Sequence, residues 1–160
     1  MKIGVISDTH DNLNTIKKAV EVFNNEKVGL VVHGGDLISP FTAAPFKKLN
    51  CKMVVVFGNN DGERIGLKAR YSEIGNINEG PYSFEFGGRK MLVAHYPNAV
   101  DALAASGRYD LIVYGHTHQL DAKPGKTLVL NPGDGGGWVA GKATAAIVEL
   151  DDMSYRIVDL

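Results

Sequence analysis

Residues 1–25 read MKIGVISDTHDNLNTIKKAVEVFNN: an apolar run over Lys2 to Ser7, a polar break at Asp8-Thr9-His10, and a second patterned run over Asn12 to Asn25. The first run has the length and content of a buried strand. In the second, Leu13, Ile16, Val20 and Phe23 recur at spacings of three and four, so a helix there carries one apolar face that covers a sheet. The succession then repeats as Val28 to His33, Phe41 to Leu49, Lys52 to Phe57 and Glu63 to Ile74, which is the βαβαβα rhythm of a parallel sheet. Ser39-Pro40 suits the cap and first turn of the second helix, and Pro45 falls where it kinks or restarts that helix.

After Gly80-Pro81 the chain turns β-rich. Tyr82, Phe84 and Phe86 alternate with Ser83 and Glu85, Gly87-Gly88 suits a tight turn, and Lys90 to Ala94 returns, so a hairpin is expected. A short helix follows, with Asn98 as its cap, Asp101 in its first turn and Gly107 just past its end. Four further strand-like runs lie at Leu111 to Tyr114, Thr127 to Leu130, Ala143 to Leu150 and Ser154 to Val158. Two sheets packed face to face, with helices on the outer faces, bury all of these runs in one α/β domain spanning residues 1–160. No linker, repeat or charge block divides it, and the glycine-rich stretch Gly133 to Gly137 reads as a loop.

Composition narrows the function. With 17 Lys+Arg against 18 Asp+Glu, the net charge of -1 gives no general attraction to nucleic acid or to an anionic membrane, so any phosphate binding is local. Cys51 is the single cysteine, which rules out an intrachain disulfide and a multi-cysteine zinc site and fits a reducing compartment. Aliphatic runs such as Met53 to Phe57 are far shorter than a membrane span, and Asp8 interrupts the N-terminal run before a signal-peptide core forms. The expectation is a cytoplasmic protein with no membrane partner.

The predicted strands end in residues of metal-ligand type. Asp8-Thr9-His10 follows the first, Gly34-Gly35-Asp36 the second and Gly58-Asn59-Asn60-Asp61 the third, while His95 ends the return strand of the hairpin and Gly115-His116-Thr117-His118 follows the next. The carboxyl edge of an α/β sheet is where ligands bind. Spacing by two puts Asp8 with His10, and His116 with His118, on the same side of an extended segment. Taken singly, Asp36 or Asn59 is a turn residue and His95 a partly buried histidine. Four of five histidines, two aspartates and an asparagine at one edge together read as a metal site. His33 lies inside its strand and supports the site from behind. Seven imidazole, carboxylate and amide groups without thiolate suit two divalent ions such as manganese, nickel, iron or zinc, and a shared carboxylate would hold them about 3.5 to 4 Å apart.

In this order and on this chain length, Asp8-Thr9-His10, Gly35-Asp36, Gly58-Asn59, His95 and Gly115-His116-Thr117-His118 resemble the calcineurin-like metallophosphoesterase superfamily, nearest its small bacterial and archaeal YfcE-type phosphodiesterases. The resemblance runs from Asp8 to Asn131-Pro132-Gly133. It implies a four-layer α/β/β/α sandwich of two mixed sheets. It also implies that Asp8, His10 and His118 hold a first metal, that Asn59, His95 and His116 hold a second, and that Asp36 bridges them; the residue types do not choose among the metals, and manganese is the one expected. Asp36, Asn59 and His95 are the expected catalytic residues, and the reaction implied is hydrolysis of a phosphate ester by in-line attack of a metal-bound hydroxide.

The sequence departs from that family at three positions. Asn60 stands where many members have a histidine that protonates the leaving group, which points to esters with acidic leaving groups, aided by metal coordination or by Asp61. Tyr96 replaces a glycine and narrows the approach to the second metal; Asp134 replaces a serine and is expected to point away from an anionic substrate. Asp11 and Asn12 are read as caps of the first helix. The leading function is therefore a phosphodiesterase with an open site for a small phosphate ester. The alternatives are a catalytically weak scaffold resembling a retromer subunit and, ranked lower, a phosphoprotein phosphatase. Phe41, Phe46, Tyr71, Tyr82 and Trp138 read as core or loop anchors, with a homo-oligomer surface as the other use.

Overall fold

The computed structural model describes residues 1–160. Its first half runs β1 (Lys2–Ile6), α1 (Leu13–Asn25), β2 (Leu30–His33), α2 (Ala43–Phe46), β3 (Lys52–Val56), α3 (Arg64–Tyr71) and β4 (Gly75–Asn78). Its second half runs β5 (Tyr82–Phe86), β6 (Arg89–Val93), α4 (Val100–Ala105), β7 (Leu111–Val113), β8 (Leu120–Lys123), β9 (Leu128–Pro132), β10 (Thr144–Glu149) and β11 (Tyr155–Asp159). The strands β1 to β4 pair in parallel, and β10 and β11 extend the other edge antiparallel, giving the order β11-β10-β1-β2-β3-β4. The second sheet, β5-β6-β7-β9-β8, is parallel from β6 through β7 to β9 and antiparallel at its ends.

Three apolar layers hold these parts together as an α/β/β/α sandwich. Ile16 and Phe23 of α1, Phe46 of α2 and Leu67 and Tyr71 of α3 pack on Val31, Val55 and Ile147 of the first sheet. Ile3, Val5 and Val32 meet Val93, Leu111 and Leu130 between the sheets. Val100 and Leu103 of α4 cover Leu92, Ile112 and Val129. The period-two alternation of a strand is visible in β1, where Ile3 and Val5 face the second sheet while Gly4 lies under Phe23. A Cβ on Gly4 would stand 2.6 Å from the Phe23 ring, so glycine lets α1 settle onto the sheet. No helix is long and apolar enough to cross a membrane.

Several local expectations are corrected. The second helix is a 3-10 turn over Pro40–Thr42 followed by the four residues of α2, because Pro45 cannot donate into a longer ladder. Helix α3 ends at Tyr71 rather than Ile74, and the freed chain crosses to β3 as β4, whose sequence GNIN carries only one apolar side chain. Strand β8, LDAK, is equally unmarked: it is an edge strand held by its ladder to β9. Asn98 does not cap α4. Ala99 stands at that position with φ 63° and no side-chain hydrogen bond.

Candidate metal centre

The strands β1, β2 and β3 in one sheet and β6 and β7 in the other end at the same edge, and the residues just past each end carry the donors. Asp8, His10, Asp36 and Asn59 come from the first sheet, and His95, His116 and His118 from the second. Five of these seven, Asp8, His10, Asp36, His116 and His118, have φ between 42° and 70°, a left-handed backbone that a side chain adopts at a cost of about 1–3 kcal/mol. The turns are held in place by backbone bonds from Asp8 N–H to Gly35 O and from His10 N–H to Asp36 O, each 3.0 Å. Close approach also requires glycine beside the donors. A Cβ on Gly58 would fall on the Asp36 carboxylate, and one on Gly115 on Ser7 and Asp8.

Two groups of donors form. The ligand atoms of Asp8, His10 and His118, and those of Asp8, Asp36 and His95, each lie within 4.8 Å of one another. Asp36 Oδ2 sits 3.4 Å from His10 Nε2 and 3.5 Å from His95 Nε2, between the groups. Asn59 Oδ1 lies 2.8 Å from His95 Nε2 and 2.9 Å from His116 Nδ1, and His118 Nε2 is 3.8 Å from Asp8 Oδ1. Thus all seven residues gather in one place.

The chemistry of this set fits cations. Asp8 and Asp36 are buried and their only ion-pair partners are histidines, so two carboxylates are out of water without a lysine or arginine. His10 Nε2 is buried with no hydrogen-bond partner. Burial pushes the Asp8 carboxyl above its usual range, a penalty that a bound cation removes.

The surrounding residues fix the donors and correct three expectations. Asp61 is not free to act as an acid: its carboxylate is buried and accepts the backbone N–H groups of Asp36 (3.0 Å), Ile38 (2.7 Å) and Gly58 (2.7 Å). Asp134 does not point away. Its Oδ1 lies 3.2 Å from His118 Nδ1, on the ring edge opposite Nε2, and its carboxylate accepts the N–H groups of Gly137, Val139 and Ala140. Burial opposes its ionisation, but the Ala140 and Val139 amides and then the His118 ring prevail, holding its pKa below the ordinary value. A carboxylate behind a histidine in this way fixes ring orientation. Asp11 does not cap α1; it accepts Ser39 N–H and Oγ–H, and so Ser39 makes no cap bond of its own. Asn12 does cap α1, through Asn14 and Thr15 N–H.

Other side chains complete the surroundings, among them Asn60 and Tyr96, two of the departures from the family pattern. Asn60 donates its backbone N–H to Asp36 Oδ1 and its Nδ2 to Oδ2, each at 2.8 Å. Asn131 Nδ2 donates to Gly115 O and Thr117 Oγ1, tying the end of β9 to the loop after β7. Two aromatic rings flank the centre: Tyr96, half-exposed, has its ring 4.8 Å from that of His116, and the exposed Trp138 donates from its indole to His10 O at 3.0 Å.

His33 is fully buried behind the site. Its Nδ1 accepts Gly35 N–H at 3.1 Å, so the proton of the neutral ring is on Nε2, 3.2 Å from Thr9 Oγ1. Burial brings its pKa down from 6.5 to about 3. Below pH 6.5 the unfolded chain takes up a proton there that the folded chain refuses, so stability falls as pH falls toward 3, by about 1.4 kcal/mol per unit. Between pH 7 and pH 5 this removes about 2 kcal/mol. Urea titrations of metal-stripped protein are expected to show that loss in the wild type and its absence in His33→Gln; equal pH dependence in both would exclude it.

A four-layer sandwich with a buried carboxylate and histidine cluster at the common strand edge defines an α/β protein built around a candidate site for divalent cations. The chain belongs to the calcineurin-like phosphoesterase superfamily, whose domain model matches residues 1–153. It is 39% identical over 165 residues to phosphodiesterase MJ0936 of Methanocaldococcus jannaschii, covering 100% of this chain and 99% of that one. Its fold matches the solved structure of a novel archaeal phosphodiesterase with a TM-score of 0.94 and 38% identity, covering 100% of both chains. YfcE, a phosphoesterase from E. coli, shares the fold with a TM-score of 0.65 and 21% identity, over 99% of this chain and 98% of that one.

Proposed function

We propose that this protein, acting as one domain over residues 1–160, is a phosphodiesterase for small or exposed phosphate esters. The observation that carries the reading is Asp36 Oδ2, buried between His10 Nε2 and His95 Nε2 at 3.4 and 3.5 Å, with Asp8 and His118 on one side and Asn59 and His116 on the other. In this reading Asp8, His10 and His118 would hold one divalent cation, Asn59, His95 and His116 would hold another, and Asp36 would serve both. Such a pair supplies an acidified water for in-line attack and positive charge for the phosphate oxygens. Manganese is our first choice, with nickel, iron and zinc also suited to imidazole and carboxylate donors.

The chain's own groups divide the remaining work. Asn60 aims both oxygens of Asp36, Asp61 holds the backbone of Asp36 and Gly58, and Asp134 holds the His118 ring. The full donor set favours a hydrolase over a scaffold, which has no need of it. The single cysteine suits a cytoplasmic setting. The test is hydrolysis of bis(4-nitrophenyl) phosphate and 4-nitrophenyl phosphate by metal-stripped protein with manganese, nickel, zinc, magnesium or nothing added back. Diester turnover that requires added metal supports the reading; stoichiometric metal binding without turnover of any ester overturns it.

Neither of the two side chains at or next to the position of the usual acid can protonate the leaving group, since the Asn60 amide is no acid and Asp61 is committed to backbone amides. Across methyl aryl phosphodiesters, rates are expected to fall steeply as the leaving-group pKa rises. A flat series, with chemistry rate-limiting, would show that an acid is at work.

A further inference from the structure

Next to the metal centre a cavity of about 420 Å³ opens between the start of α3, Gly80-Pro81 and the segment Tyr96 to Leu103. Asn59 and His95 line it, so it is continuous with the donor cluster. Its volume falls in the range of small-molecule sites. Phe57, Pro81, Ala94 and Leu103 give it apolar walls, and Tyr96 stands at its border with a half-exposed ring. Arg64 also lines it, with its guanidinium 4.7 Å from the centre of the Phe57 ring.

The charges in this cavity are already matched. Arg64 Nη1 donates to Glu79 Oε2 at 2.9 Å and Nε to Asp61 O at 3.3 Å. Three of the five guanidinium N–H groups stay free to bond a polar edge, but no net positive charge is left to attract a second phosphate. Apolar walls, a ring at the border and donors without surplus charge suit a flat, uncharged aromatic group.

We propose that this cavity is the subsite for an aromatic ester group of the substrate, an aryl or nucleoside substituent whose phosphate sits at the metal centre. The proposal rests on the phosphodiesterase reading above. It explains how a chain without a separate lid would discriminate between esters: an alkyl ester leaves the apolar walls wet, whereas an aromatic one covers them.

The test uses two probes that differ only in the ring, phenylphosphonate and methylphosphonate, titrated calorimetrically into zinc-loaded protein. Phenylphosphonate is expected to bind about tenfold more tightly or better. In Leu103→Trp, which fills the cavity, that advantage is expected to shrink toward onefold. In the wild type, nuclear Overhauser contacts from the phenyl protons to the Leu103 and Ala94 methyls are expected, a readout independent of any variant. Equal affinities, missing contacts, or an advantage that survives Leu103→Trp would overturn the subsite while diester turnover still stood. Failure of both phosphonates to bind, with no diester turnover under any metal, would overturn the metal-centre reading and the subsite with it.

Discussion

Asp36→Ala is expected to lower metal-dependent diester turnover by about three orders of magnitude or more, a loss of about 4 kcal/mol or more in transition-state stabilisation. Asp36 Oδ2 lies between His10 and His95, and Asn60 bonds both oxygens of the same carboxylate. Alanine therefore removes the carboxylate that lies between His10 and His95 and leaves the Asn60 amide without its partner. The fold should survive, because the Asp36 backbone N–H still bonds Asp61. Measurement of kcat at saturating metal, with the metal content per chain determined alongside, checks this. Turnover within tenfold of wild type would mean that Asp36 does not join the two sides.

Asp61→Ala is expected to be the largest stability change among the polar residues around the site, about 3–5 kcal/mol by chemical denaturation. The Asp61 carboxylate accepts the N–H groups of Asp36, Ile38 and Gly58, and alanine strands all three at a turn that is largely out of water. An unsatisfied buried donor costs about 1–3 kcal/mol, less where the turn relaxes toward solvent. Activity should fall with stability, because Asp36 and Gly58 are released together, while the pH profile of the residual activity keeps its shape. A stability change under about 1 kcal/mol, with one limb of the pH profile lost, would instead make Asp61 a proton donor.

The parts that were legible in the sequence share a cause. The strand and helix of residues 1–25, the Tyr82 to Ala94 hairpin and the donors at the strand ends each have a residue pattern that few other arrangements satisfy. Strand β4, with only Ile77 buried, and strand β8, on an outer edge, are defined by backbone pairing to β3 and β9, and pairing partners leave no trace in a short polar segment. Asp134 and Asp61 were misread for a related reason. Both are acids beside a metal-ligand motif, and whether such an acid meets substrate, a histidine or a ring of amides depends on how its own loop folds and on which distant segment, that of Asp36 or of His118, packs against it. The second helix failed locally, at Pro45.

The donors are divided between the two sheets, four from one and three from the other, and elsewhere the sheets meet mainly through hydrocarbon such as Val5, Val32, Val93 and Leu111, with polar ties from Arg89 to Leu150 O and Asp151 O and from Thr144 Oγ1 to Pro132 O. The hydrophobic term that holds such an interface is non-directional, so its alignment depends on how the side chains interdigitate and on the few polar ties across it. Cations bound by this set would rivet the two layers at one end and pin their alignment. Catalytic geometry and the alignment of the two sheets at that end would then depend on the same few bonds, and a chelator would loosen both.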